Sequence, residues 1–256
     1  MNIQRVQSVV RQYGGVQLLM LVLVLVLVGC SRQPTATLSP LASPLPTLVS
    51  PLASSTVQPG VVLPGRLVFH STLSGNYDIY VVNGNGQGLR QLTSYAGRDI
   101  EPVWSPDGEM IVFASDRDDP SGLNLYVMLA DGSEQRPLVQ HAGYALSASW
   151  SPDGQRLVFH ANWEGRFQLY TVSAQGGSPS KLFDIEGNAY MPDWSPDGSR
   201  IAFVGDQDGG NDDIYYFDLN TGEITRVTDD YDRDIRPRWS PDGTRLVYQH
   251  YEGEDT

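Results

Sequence analysis

The side chains best suited to recognition or chemistry fall in short polar stretches spread through the last two thirds of this sequence. They are Asp116-Arg117-Asp118-Asp119, Asn162-Trp163-Glu164-Gly165, Asp206-Gln207-Asp208-Gly209-Gly210 and Asp229-Asp230-Tyr231-Asp232-Arg233-Asp234. Tyr95, Arg98 and Asp99 precede the first of these, and His141, Tyr144, Glu186 and Tyr190 lie between them. Trp and Arg are the usual energetic anchors of an interface, so Arg98, Arg117, Trp163 and Arg233 are the expected contacts. Asp99, Asp116, Asp118, Asp206, Asp208 and Asp232 would then select a basic or hydroxyl-rich partner. Paired acids could also serve a small carbohydrate- or peptide-processing enzyme, which is the competing reading. No Gly-x-Ser-x-Gly elbow, phosphate loop or dinucleotide fingerprint accompanies them, so no catalytic residue is assigned.

Metal chemistry has weaker support. His70, His141, His160 and His250 map to one end of the repeats described below. Three of them sit on strands of different repeats that would not converge. Asp206-x-Asp208-Gly209 echoes the start of a calcium loop but lacks the downstream bidentate Glu. Cys30 is the only cysteine, which rules out an intramolecular disulfide and a zinc cluster of cysteines. No metal site and no cofactor is expected.

The elements that must position these residues form one repeat. Trp-Ser-Pro-Asp-Gly occurs at Trp104–Gly108, Trp150–Gly154, Trp194–Gly198 and Trp239–Gly243, with spacings of 46, 44 and 45 residues. Each copy precedes an apolar run such as Arg156-Leu157-Val158-Phe159, and Arg66-Leu67-Val68-Phe69 is a fifth such run. A second run follows about ten residues later, as in Asp78-Ile79-Tyr80-Val81 and Asp213-Ile214-Tyr215-Tyr216. A third closes the unit, as in Leu89-Arg90-Gln91-Leu92-Thr93. Four short strands per period of about 45 residues is the signature of a propeller blade. Pro and Asp in Ser-Pro-Asp-Gly suit the middle of a type I turn, and the Gly takes the left-handed conformation that closes a hairpin. The recurring Trp is expected to pack between blades.

At these residues the sequence resembles the TolB-type, WD-like propeller repeat: Pro-x-Trp-Ser-Pro-Asp-Gly, an Ile-Ala/Val-Phe strand, an Asp-rich turn, Asp-Ile-Tyr and Leu-Thr. The resemblance spans nearly all of residues 65–256. Ala148 replaces the proline found at Pro102, Pro192 and Pro237, and Pro137-Leu138-Val139 replaces a clean Leu-Thr. The resemblance implies an all-β propeller of four-stranded antiparallel blades, about four to five of them, acting as a binding module. The TolB protein carries an α/β domain ahead of its propeller that is not visible here, so its role in envelope integrity is not carried over.

The strands of a unit are called a to d, with a ending at the Trp. Strand b is expected five times and a, c and d four times each. The favoured reading is an open or truncated arc, whose free edges would allow self-association. The alternative is a closed four-bladed ring in which Pro237–Trp239 completes the unit of residues 66–93. Because strands alternate in direction, the a–b and c–d turns share one face and the b–c and d–a loops the other. The first face repeats itself, whereas the second differs from blade to blade, which marks it as the recognition face.

The chain before residue 65 reads as an address and a tether. Arg5 and Arg11 precede eleven unbroken apolar residues, Leu18 to Val28, too few to span a bilayer of roughly 30 Å. The run ends in Leu27-Val28-Gly29-Cys30, which resembles a bacterial lipoprotein signal. That resemblance implies cleavage before Cys30, lipidation of its sulfur and a membrane-anchored, extracytoplasmic protein in the cell envelope or periplasm. Residues 30–64 are rich in Pro, Ser and Thr and suit an extended spacer. Beyond residue 29 there are 15 basic and 30 acidic side chains, a balance that repels nucleic acid. The expected partner is an envelope protein or glycan.

Overall fold

The structure, a computed structural model, describes residues 65–207, 211–229 and 231–251. The expectations for residues 1–64, Cys30 among them, and for Asp208 lie outside the described residues. The described residues hold seventeen strands and no helix. β1 (Arg66–Ser71), β2 (Asp78–Asn83) and β3 (Arg90–Gln91) form a three-stranded sheet. Three complete blades follow in a-b-c-d order: β4 (Asp99–Trp104) to β7 (Arg136–Pro137), β8 (Ala145–Trp150) to β11 (Ser180–Lys181), and β12 (Ala189–Trp194) to β15 (Ile224–Arg226). β16 (Arg233–Trp239) and β17 (Leu246–Tyr251) form a final pair. The strand pairings within all five sheets are antiparallel.

Alternation along strand b explains how the sheets stack. In β5 (Met110–Ser115), Ile111 and Phe113 meet Ile79 and Val81 of the preceding sheet, while Val112 and Ala114 meet Leu157 and Phe159 of the next. The same two-sided apolar pattern recurs at Phe203 against Val158 and at Leu246 against Ala202. Fully burying such side chains stabilises by about 1.5–3 kcal/mol each. Trp150, Trp194 and Trp239 are buried between blades, as expected. Trp150 Nε1 donates to Val103 O at 3.3 Å and Trp239 Nε1 to Asp193 O at 3.2 Å, each crossing to the preceding blade. Arg156 and Arg200 stack on Trp194 and Trp239 of the following sheet.

Among the described residues β16 pairs with β17 and β1 pairs with β2. Pro237–Trp239 therefore does not complete the first sheet, and the open arrangement is the one observed. Leu67, Leu73, Tyr77 and Leu89 of the first sheet are exposed, as are Val247 and Tyr251 of the last.

Candidate binding face

The innermost strands carry a feature that periodicity alone did not reveal. Glu101, Ser147, Met191 and Arg236 each stand three residues before the Trp, and each is a non-glycine residue with φ of 50 to 55°. The strand register shifts at the same place in all four strands. These are β-bulges, and Pro102, Pro192 and Pro237 occupy their second position because proline needs no ladder partner there. The bulges also link blades. Glu101 N donates to His70 Nδ1 at 3.2 Å, Met191 N to His160 Nδ1 at 3.3 Å, and Ser147 N to Glu101 Oε2 at 2.8 Å. Two of the four histidines thus serve backbone amides. Burial pushes the His160 imidazole down to about 3.

The Ser-Pro-Asp-Gly face is occupied with its own turns. Ser105 Oγ donates to Asp107 Oδ1 at 2.5 Å and accepts from Met110 N at 2.9 Å, and Gly108 has φ of 72°. The three other copies repeat this arrangement. The serine hydroxyls hold Asp197 and Asp242 at about 2, well below the ordinary carboxylate range.

On the opposite face a side chain at the start of each b–c loop clamps the d–a loop of its own blade. Asp116 Oδ1 accepts from Arg98 N at 2.7 Å, Asn162 Oδ1 from Tyr144 N at 2.8 Å and Asp206 Oδ1 from Asn188 N at 2.5 Å. A Cβ on Gly97, Gly143 or Gly187, the residue before each clamped amide, would collide with that oxygen. Asp116 and Asp206 are therefore parts of the scaffold, and the sign of it in the sequence is a d–a glycine matched by an Asx at the loop start.

The other expected contacts divide the same way. Asp99 is fully buried, and Arg117 Nη2 donates to both of its carboxylate oxygens at 2.9 Å. Arg117 also stacks over Tyr126, so this pair faces inward. Trp163 takes the equivalent place in the next blade, stacking on His141 with ring centroids 4.5 Å apart and packing at a tilt against Tyr170 at 4.6 Å. It is only partly buried, leaving an edge at the surface. Asp118 is exposed, bonded to Tyr126 and, at 2.7 Å, to Gln140. Arg98 and Arg233 are paired with Asp116 and Asp212 while their side chains stay about half exposed, and Asp232 lies beside His250. Arg98, Asp118, Trp163, Asp232 and Arg233 thus keep surface on the loop face.

Counting the first sheet as blade one, β8–β11 are blade three and β12–β15 blade four, and blade three departs from its neighbours. In the first sheet, buried Asp78 accepts from Gln91 Nε2 at 3.0 Å and from Thr93 Oγ1 at 3.3 Å. In blade four, Asp213 does the same with Arg226 at 2.6 Å and Thr228 at 3.2 Å. These contacts are what Asp-Ile-Tyr and Leu-Thr are for. In blade three the equivalent positions are Gln168, Lys181 and Phe183. Lys181 turns away to Glu164 and Asp184, both at 2.7 Å, and these bonds raise its ammonium to about 12. A cavity of about 250 Å³ lies here, lined by Glu164, Arg166, Gln168, Lys181, Asp184 and Ile185.

Comparison with known proteins agrees with this architecture. Residues 180–254 match the family model of the TolB beta propeller domain. A protein TolB homolog of Chlorobium luteolum is 36% identical over 62 residues, which are 24% of this chain and 14% of that protein. A presumed TolB of Agrobacterium tumefaciens superposes with a TM-score of 0.64 at 22% identity, covering 73% of this chain and 71% of its own. TolB of Acinetobacter baumannii gives 0.66 at 20% identity, covering 75% of this chain and 48% of its own. The match thus spans a small part of the Chlorobium luteolum relative and about half of the Acinetobacter baumannii protein. Chains described as an oligogalacturonate lyase and a puromycin hydrolase also resemble this fold. The described residues fold as a β-propeller arc of three complete blades between two shorter sheets, similar in fold to these two TolB structures.

Proposed function

We propose that this chain is a membrane-anchored, extracytoplasmic binding module that recognises an envelope protein or glycan through its b–c and d–a loops. Residues 1–29 act as a lipoprotein signal, Cys30 carries the lipid, and residues 30–64 hold the propeller off the membrane. The observation that carries the reading is the contrast between the two faces. One repeats a self-satisfied turn four times, while the other differs from blade to blade and keeps Arg98, Asp118, Trp163, Asp232 and Arg233 at the surface. Specific recognition needs groups that are not copied around the ring. Binding is favoured over catalysis because Asp78, Asp99, Asp116, Asp206 and Asp213 all spend their oxygens on internal hydrogen bonds. A carboxylate so engaged is poorly placed to move a proton at a substrate.

Capture from envelope extract tests this. Arg98→Ala and Arg233→Ala should weaken capture, and protease or glycosidase treatment of the extract separates a protein partner from a glycan. Unchanged capture by both variants would contradict the loop-face assignment.

A further inference from the structure

Because the blades repeat, each serves as a control for the others, and the first sheet stands out by that comparison. In the other sheets strand b is paired on its inner side with a strand a, as β5 is with β4. Among the described residues β1 pairs with β2 alone. Met110 O accepts from Ser105 N where β4 turns into β5, so the equivalent Arg66 and its alternate neighbours Val68 and His70 direct their backbone groups to this open edge. The edge is also unguarded. The outer strands β3, β7 and β11 are two residues long and carry Arg90, Pro137 and Lys181, and the inner strands of the other sheets are bulged. β1 runs six residues in unbroken register with β2, without proline or bulge. Free edges are normally blunted by such devices, so this one calls for a strand.

A buried donor next to β1 makes the same demand. Trp150 Nε1 donates to Val103 O and Trp239 Nε1 to Asp193 O, and each acceptor belongs to the preceding strand a, opposite the third residue of its strand b. Trp194 turns instead to Gly198 O of its own turn. Trp104, which lies under the Arg66 guanidinium, does neither, and its Nε1 is buried with no hydrogen-bond partner among the described residues. A buried donor left unmade costs about 1–3 kcal/mol. By the register of the other blades, the missing acceptor is a carbonyl opposite Val68.

The chain itself offers the match. Thr56-Val57-Gln58-Pro59-Gly60-Val61, joined to β1 by Val62-Leu63-Pro64-Gly65, aligns with Asp99–Trp104 and its turn. Val57 falls where Ile100, Leu146, Tyr190 and Ile235 stand, and Pro59 where Pro102, Pro192 and Pro237 stand. The connection is one residue shorter than in the other blades, and Gly65 ends it in the left-handed region with φ of 101°. Val61 stands in place of the Trp. That Trp fills the gap to a preceding blade, and among the described residues no sheet precedes the first. A four-residue connection also costs far less entropy to close than the docking of a separate chain.

We propose that residues 56–61, just outside the described residues, dock on β1 as the inner strand of the first sheet, antiparallel to it, with Gly60 opposite Val68 and its carbonyl on Trp104 Nε1. The spacer behind the lipid anchor then ends at residue 55, and the first sheet becomes a complete blade. The test is hydrogen exchange by NMR on the isotope-labelled full chain in detergent, with the Trp104 indole assigned through Trp104→Phe. The amides of Val68 and His70 and the Trp104 indole N–H should exchange at least about a hundredfold more slowly than in an unstructured peptide. Val57→Pro and Gly60→Pro each remove an amide from the docked strand and should speed all three by at least about tenfold. The Leu67 amide, held by β2, should keep its rate in both variants, and Leu48→Pro, farther along the spacer, should change nothing. Free-peptide exchange in the parent overturns the proposal. So does slow exchange that both prolines leave in place, since a second copy, another chain or a water would then hold the edge. No partner enters this measurement, so capture through Arg98 and Arg233 stands or falls separately.

Discussion

Arg117 and Asp99 form a clamp between a b–c loop and the first residue of an innermost strand, with Nη2 donating to both carboxylate oxygens at 2.9 Å. Asp99 is fully buried, so the pair matters chiefly through what its loss would leave behind. Removing one partner of a buried ion pair strands the other charge without compensation.

Arg117→Ala should therefore destabilise the propeller by roughly 2–4 kcal/mol, through Asp99 and through lost stacking on Tyr126. Urea unfolding measures this directly. The double variant Arg117→Leu, Asp99→Leu should recover much of the loss, and a midpoint unchanged in the single variant would show that Asp99 does not depend on Arg117.

The fold was legible because its signals repeat. Trp-Ser-Pro-Asp-Gly, the b-strand run and Asp-Ile-Tyr mark the seventeen strands and the two faces they define. The internal use of Arg117, Asp116 and Asp206 was not legible. A charged residue in an Asp-rich loop looks the same whether it meets a partner or an amide 18 residues away. The bulges at Glu101, Ser147, Met191 and Arg236 were hidden for a related reason, since left-handed φ at a non-glycine residue leaves no compositional mark. Only the proline after three of them hinted at it. Gln168 could be recognised as a departure only after the structure showed what Asp78 and Asp213 do.

Acid should weaken the propeller through His160. Its folded value is about 3 and its ordinary value 6.5, so below pH 6.5 the unfolded chain takes up a proton that the folded one refuses. The stability present above pH 6.5 is lost as pH falls towards 3, by at most about 1.4 kcal/mol per pH unit from this group. His160→Gln keeps an acceptor for Met191 N without titrating. Its denaturation midpoint should fall less steeply than the parent's between about pH 6.5 and 4, and parallel curves would argue against the assignment.

Arg236 is exposed and held at φ of 55°. A left-handed conformation costs a non-glycine residue about 1–2 kcal/mol, whereas glycine gives back part of that as unfolded-state entropy. Arg236→Gly should raise stability by up to about 1 kcal/mol, read as an increase in thermal midpoint. A drop of similar size would mean that the arginine side chain supports the bulge.

Lipid attachment predicts that Cys30→Ala moves the protein from the membrane to the soluble fraction, with loss of label from a fatty-acid analogue. Two or more acyl chains anchor durably, whereas one does not. Equal labelling of Cys30→Ala and the parent would remove the anchor from the account.

The central claim is that recognition belongs to the b–c and d–a loops. Photo-crosslinking in the native envelope tests it most directly, with the crosslinker placed at Arg98, Asp118 or Arg233 on one face and at Asn85 or Asn220 on the other. Adducts with a shared partner from the first three positions, and none from the last two, are the predicted result; adducts from Asn85 and Asn220 alone would place recognition on the opposite face.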